Sequence, residues 1–212
     1  QPARFSIGSL PTLDSPETTM LTTEFPGCQK LINAIDEAVA KSSTPAITDS
    51  LRNSLCKLIR NKEIVLPDCV LETAKDRYAR RELYHSDEHG YCVVAMTWGP
   101  GQGTPIHDHC GMWCVEGVWS GALEVVQYER LADEGNLCRF QPVGSIQAGP
   151  GSAGSLIPPH EYHTIRNPSD DAIAVSLHIY SGNMTHCAVF QPKGADHCYE
   201  RSDRQLSLDP VN

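Results

Sequence analysis

From Tyr91 onward the chain is a series of short apolar runs cut by glycine and proline, and this texture limits the fold more than any other feature. Tyr91–Trp98, Trp113–Gly117, Ala122–Arg130, Ala172–Tyr180 and Cys187–Gln191 are rich in Val, Ile and aromatic residues. Gly99-Pro100-Gly101, Ser120-Gly121, Gly149-Pro150-Gly151 and Pro158-Pro159 separate them. Many short strands with a turn signal every ten residues or so predict an antiparallel sandwich or barrel. A doubly wound α/β fold is not indicated, because the sequence has no dinucleotide-binding glycine fingerprint and no phosphate-binding loop.

The first third reads differently. Residues 1–26 carry Pro2, Pro11, Pro16 and Pro26 among Ser and Thr and predict an extended arm. Between Gly27 and Ile64, Leu31, Ile32, Ile35, Ala38 and Val39 recur at helical spacing, as do Leu51, Leu55, Leu58 and Ile59. Thr48 and Asp49 suit the start of the second helix, and Ser42–Pro45 breaks the two apart. A third helical stretch is expected from Asp68 to Leu83, after Pro67. The expectation is an arm over 1–26 and one domain over 27–212, helical across 27–83 and a β-barrel across 91–200. The polar tail from Ser202 is expected to be loosely held.

Composition excludes some functions. A formal net charge of −9 argues against nucleic-acid or anionic-membrane surfaces, which need a cationic stripe. No apolar run approaches the ~20 residues that span a bilayer. The nine cysteines include no C-x-x-C pair, and they read as reduced thiols of a cytoplasmic protein rather than a disulfide framework.

The chemistry-bearing residues sit in the β region. In Gly101-Gln102-Gly103-Thr104-Pro105-Ile106-His107-Asp108-His109 an extended backbone would turn both histidines to one face. His163 follows the turn-rich Pro158–Tyr162 segment. Two imidazoles and a third from elsewhere suffice to hold a divalent metal. On one later strand Ser176, His178 and Tyr180 line a single face with a hydroxyl, an imidazole and a phenol. Such a face makes a poor core and a good reaction chamber.

Gly101, His107, His109 and Gly121, followed by Pro158, His163 and Asn167, resemble the two motifs of the cupin superfamily. Most cupins add a carboxylate ligand shortly after H-x-H. Here the matching position is Cys114, with Glu116 two residues beyond it as a weaker candidate for a fourth ligand. Trp98-Gly99, Ile106–His109, Cys114, His163, Ser176–Ser181, Cys187 and Phe190 narrow the likeness, and from about Arg80 to Phe190 the chain resembles the cysteine dioxygenase family.

That resemblance implies a mainly β, cupin-type antiparallel barrel (a double-stranded β-helix or jelly roll) with an N-terminal helical segment. It implies Fe(II) held by His107, His109 and His163, with a small thiol and dioxygen as partners and a sulfinic acid as product. Tyr180 would face the metal, with Ser176 and His178 as a relay that orients it, and Cys114 would pair with Tyr180 in a thioether crosslink. Cysteine is the favoured substrate. The alternatives are 3-mercaptopropionate or another mercapto acid, and, in another class, a non-catalytic metal-binding cupin module. The substrate carboxylate needs a cation, and Arg81 falls where cysteine dioxygenases place an Arg. Arg80 and Arg77 lie close by, and only one of the three can face the site if the segment is extended. Ser181-Gly182-Asn183 replaces the Ser-Pro-Pro of mammalian members. The resemblance leaves the oligomeric state open.

Overall fold

The computed structural model describes residues 23–194 and 197–211, so residues 1–22 of the expected arm lie outside it. Two helices come first, α1 (Cys28–Val39) and α2 (Thr44–Arg60), then a short 3₁₀ turn (Asp68–Leu71). Eleven strands follow: β1 (Ala79–Ser86), β2 (Tyr91–Trp98), β3 (Ile106–His107), β4 (Cys114–Ser120), β5 (Leu123–Glu134), β6 (Leu137–Ala148), β7 (Ala153–Leu156), β8 (His163–Arg166), β9 (Ala174–Tyr180), β10 (His186–Pro192) and β11 (Cys198–Gln205). Helix α2 begins four residues before the expected Thr48. The Ser43 hydroxyl caps it by accepting the Ala46 N–H, and Pro45 fits its first turn.

The strands form two layers. One sheet runs β1-β2-β9-β4-β7, and the other closes on itself in the order β10-β11-β6-β5-β8-β3. The fold is thus a mainly β, cupin-type double-layered barrel with a helical segment on one side. Every residue of β2 and β9 is buried, so alternation must satisfy two cores at once. Val93, Ala95, Val115, Val175, Leu177 and Ile179 pack outward against Leu31, Ile35, Leu51 and Leu55 of the helices. Val94, Met96, Trp98, Cys114, Val118 and Tyr180 point into the barrel. Helix α2 lies close on β4, where a side chain on Gly117 would meet Leu55 Cδ2 at 2.8 Å.

Two expectations fail here. The segment 68–83 is not a helix: only its first four residues turn, and 79–83 form the start of β1, paired antiparallel with β2. Burial on both sides of an edge strand imitated helical periodicity. The tail from Ser202 is not loose either. It completes β11, then Asp209 holds the Arg77 guanidinium at 2.6 and 2.7 Å and the Arg80 N–H at 2.9 Å. The end of the expected arm is likewise packed down, with Phe25 in the helix-side core.

Leu55 is fully buried between α2 and the strand that carries Cys114 and Glu116. Leu55→Ala is expected to cost ~2–5 kcal/mol in urea unfolding, as a cavity in a packed core does. A loss well under ~1 kcal/mol would show that the helices contribute little to holding the sheet.

Candidate metal centre

The three histidines converge because three strands of the closed sheet bring them together. β3 lies between β10 and β8, with His107 opposite Val189 on one side and His163 on the other. Past the end of β3 the chain stays beside β10. The Asp108 N–H donates to Ala188 O, and the Asp108 carboxylate accepts the Ala188 N–H at 2.9 Å. His109 therefore emerges on the same side as His107. Ring centroids lie 5.2 Å apart for 107 and 109, 4.5 Å for 107 and 163, and 5.1 Å for 109 and 163. One ring nitrogen from each lies within 4.8 Å of the others.

The donor chemistry suits a metal. His107 Nδ1 meets Pro105 O at 3.1 Å and His163 Nδ1 meets Glu161 O at 2.8 Å, which leaves each Nε2 unprotonated and free. His163 Nε2 and His109 Nδ1 are buried without a hydrogen-bond partner. Burial, and for His109 and His163 also the neighbouring imidazoles, hold all three rings below the usual histidine range, so they are neutral. Three neutral, convergent imidazoles, two of them with orphan nitrogens, fit a divalent transition metal.

The wall beside them is the inner face of β9 and β4. Cys114 stands opposite Tyr180, Glu116 opposite His178, and Val118 opposite Ser176. Trp98 Nε1–H donates to Ser176 Oγ at 2.9 Å, and Ser176 Oγ lies 2.8 Å from His178 Nε2. Having accepted the hydrogen bond from the indole, the serine hydroxyl still has a proton to donate to His178 Nε2, and in that tautomer the imidazole proton sits on Nδ1. That nitrogen is 3.3 Å from Glu116 Oε2, too poorly aligned for a hydrogen bond. The relay thus turns toward Glu116. His178 and Tyr180 stack with centroids 6.1 Å apart, instead of forming the chain expected to orient the phenol. Burial drives His178 down to about 3, raises Glu116 to about 8, and pushes Cys114 and Tyr180 well above their usual ranges.

The arginines sort by strand alternation. Arg81, the expected carboxylate anchor, faces the helix side, where it donates to Glu72 O, Pro210 O and Thr97 Oγ1. Arg77 is held by Asp209. Arg80 is the one that points inward, and it lines a small chamber of ≈20 Å³ with His107, His109, His163, Tyr180 and Tyr78. Its guanidinium touches the Ser207 and Met184 carbonyls at 3.3 Å, its Nε has no partner, and no carboxylate among the described residues pairs with it. The same one-residue shift brings Tyr78, stacked on Trp98 at 4.5 Å, into the chamber. Asn167 has a scaffolding part, donating to the carbonyls of Trp98, Gly99 and Ala172.

The family model for cysteine dioxygenase type I matches residues 72–193, more than half of the sequence and all of this site. The chain belongs to that family. Among curated relatives, cysteine dioxygenase type 1 of Danio rerio is 26% identical over 121 residues, covering 57% of this chain. The chain spans about 59% of the zebrafish protein's length. Among solved structures, the TT1209 protein of Thermus thermophilus is 20% identical with a TM-score of 0.42, covering 55% of this chain and 94% of its own. A double-stranded β-helix protein of Klebsiella pneumoniae is 17% identical with a TM-score of 0.40, covering 57% and 91%.

Glu116 is the residue of this cysteine dioxygenase family member whose place sequence reasoning undervalued. Its Oε2 is 3.7 Å from His163 Nε2, and strand alternation from Cys114 was the available signal. The burial costs give a test on the metal-free protein. His178 is neutral when folded and protonates near 6.5 when unfolded, so its contribution is lost as pH falls from 6.5 toward 3. Glu116 stays protonated to about 8 when folded but ionises near 4.5 when unfolded, so stability is lost as pH rises from 4.5 to 8. In thermal melts, metal-free Glu116→Gln should gain on the parent protein steadily between pH 4.5 and 8, the two curves running parallel below that window. A difference independent of pH would contradict the burial assigned to Glu116.

Proposed function

We propose that this chain is a non-haem iron thiol dioxygenase that converts a small thiol carboxylate, cysteine in the favoured case, to its sulfinic acid. The observation that carries the reading is the meeting, in one chamber, of three neutral imidazoles, two with orphaned nitrogens, and a buried guanidinium that no carboxylate among the described residues pairs with. Family membership supports the reaction class. In the overall reaction the thiol sulfur gains both atoms of dioxygen and no other reductant is consumed. His107, His109 and His163 would hold Fe(II). When bound, the iron supplies the Lewis acidity that keeps the substrate sulfur as thiolate and the redox capacity that dioxygen requires.

The remaining work belongs to the protein. Arg80, in place of Arg81, pairs with the substrate carboxylate through charge-assisted hydrogen bonds worth about 1.5–3 kcal/mol each. Tyr180, buried with its proton retained, presents a hydroxyl toward the metal side of the chamber. Ser176 and His178 fix the wall behind it. Buried Cys114, in register with Tyr180, is the partner for a thioether crosslink formed at the expense of one hydrogen from each, with dioxygen as the oxidant. The nine free thiols support a reducing compartment, the cytoplasm.

Oxygen uptake by the iron-loaded protein with cysteine or 3-mercaptopropionate tests the reading. Arg80→Ala is expected to lower kcat/KM at least about tenfold for both thiols, while Arg81→Ala leaves the chemistry intact in the folded fraction. After turnover, peptide mapping should join the Cys114 and Tyr180 peptides at a mass two hydrogens below their sum. No uptake with any thiol acid would remove the dioxygenase assignment.

A further inference from the structure

A largely apolar cavity of ≈320 Å³ lies among β4, β5, β6, β7 and β8, where Val118, Leu123, Val125, Ile146, Leu156 and Ile165 give it hydrocarbon walls. It is distinct from the ≈20 Å³ chamber of Arg80 and the three histidines, although His178 and Ile165 belong to both linings. Ile146 is 60% exposed, so the cavity is reachable from solvent. Its volume suits a small organic molecule, for which pockets begin at about 300 Å³.

The sequence leaves this space open beside an acid. Residues directly opposite on neighbouring strands turn their side chains to the same face of a sheet. Gly154 of β7 stands opposite Glu116 of β4, and Glu116 stands opposite His178 of β9. The row therefore runs imidazole, carboxyl, then no side chain. A Cβ on Gly154 would meet no heavy atom within 4 Å, and its backbone is not left-handed, so neither crowding nor conformation requires glycine there. Gly144 of β6, which also lines the cavity, is open too, with Gln127 Oε1 at 3.9 Å the nearest atom to a Cβ. Glu116 in turn lacks a donor. Its Oε2 is buried without a hydrogen bond, and among the described residues no Lys or Arg nitrogen lies within 4.0 Å of it. Arg52, another lining residue, is held by Asp49 at 3.2 Å. A buried carboxyl oxygen without a donor is costly, and a cationic N–H satisfies it best.

We propose that this cavity is a second binding site, for a small hydrophobic amine whose hydrocarbon body lies against β5, β6 and β8 and whose nitrogen donates to Glu116 Oε2. The same ion pair forms whether the ligand arrives as ammonium at a carboxylate or as free amine at the protonated acid, the proton then passing from oxygen to nitrogen. The ligand needs neither a thiol nor a carboxylate and does not enter the chamber of Arg80. The site stands apart from the thiol dioxygenase reading and survives the failure of that reading.

The test is calorimetric binding of hexylamine, 1-hexanol and hexanoate to the full chain, both metal-free and loaded with Fe(II) under anaerobic conditions. Hexylamine is expected to bind one per chain in both forms, about tenfold or more tighter than hexanol, with hexanoate weakest. From butylamine to hexylamine the affinity should rise about fourfold per methylene, as burial in an apolar cavity dictates. Glu116→Gln should bring hexylamine down to the level of hexanol and leave hexanol unchanged. Gly154→Val, which places a side chain beside Glu116, should weaken both about tenfold or more, and Gly144→Val serves in its place if thermal melting shows that the first variant is unfolded. Hexylamine that fails to bind, or binds no tighter than hexanol, overturns the inference, as does binding unchanged by Glu116→Gln or by the folded glycine variant. Binding that appears only after iron loading places the amine on the metal and overturns it equally.

Discussion

The site depends on a sheet that is buried on both faces. In β9 every residue is inaccessible, so the chain must supply two different faces in one strand. Val175, Leu177 and Ile179 serve the helices, and Ser176, His178 and Tyr180 serve the barrel. A one-residue slip would exchange the two sets, placing an imidazole and a phenol against leucines and removing the wall of the chamber. The apolar half of the strand therefore fixes the polar half. The helices that cover it act on the chemistry without touching it.

The histidines follow the same logic on the facing layer. The closed order of that sheet puts β3 between β8 and β10, and the pairing of His107 with His163 is a backbone register before it is a candidate metal site. Carbonyl acceptors at Pro105 and Glu161 orient two of the rings. Burial keeps them neutral. The placing of the rings is thus set by the sheet, and the orphan nitrogens of His109 and His163 are its consequence.

Much of this was legible in the residues. The helical spacing of Leu31 through Ile59 and the apolar, turn-bounded runs at Tyr91–Trp98 and Ala172–Tyr180 are plain in the chain, and H-x-H with Ser-x-His-x-Tyr encodes two shared faces directly. What was illegible had physical causes. Strand β1 is an edge strand with Arg80 and Arg81 buried on opposite sides, so two charged neighbours give no alternation to read, and the sequence alone does not tell which of them faces the barrel. Strand β6 exposes most of its length and contains Pro142 and Gly144, which hide a strand that its pairing with β5 stabilises. Glu116 was visible as a carboxylate near the motif. Its partnerless oxygen emerges only once β4 is set beside β9.

We propose that His107, His109 and His163 share one divalent ion. Anaerobic titration of the metal-free protein with ferrous iron, followed by calorimetry, addresses it most directly. One ion per chain is expected, with loss of that binding in each of His107→Ala, His109→Ala and His163→Ala. Undiminished stoichiometry and affinity in any one of these variants would contradict it.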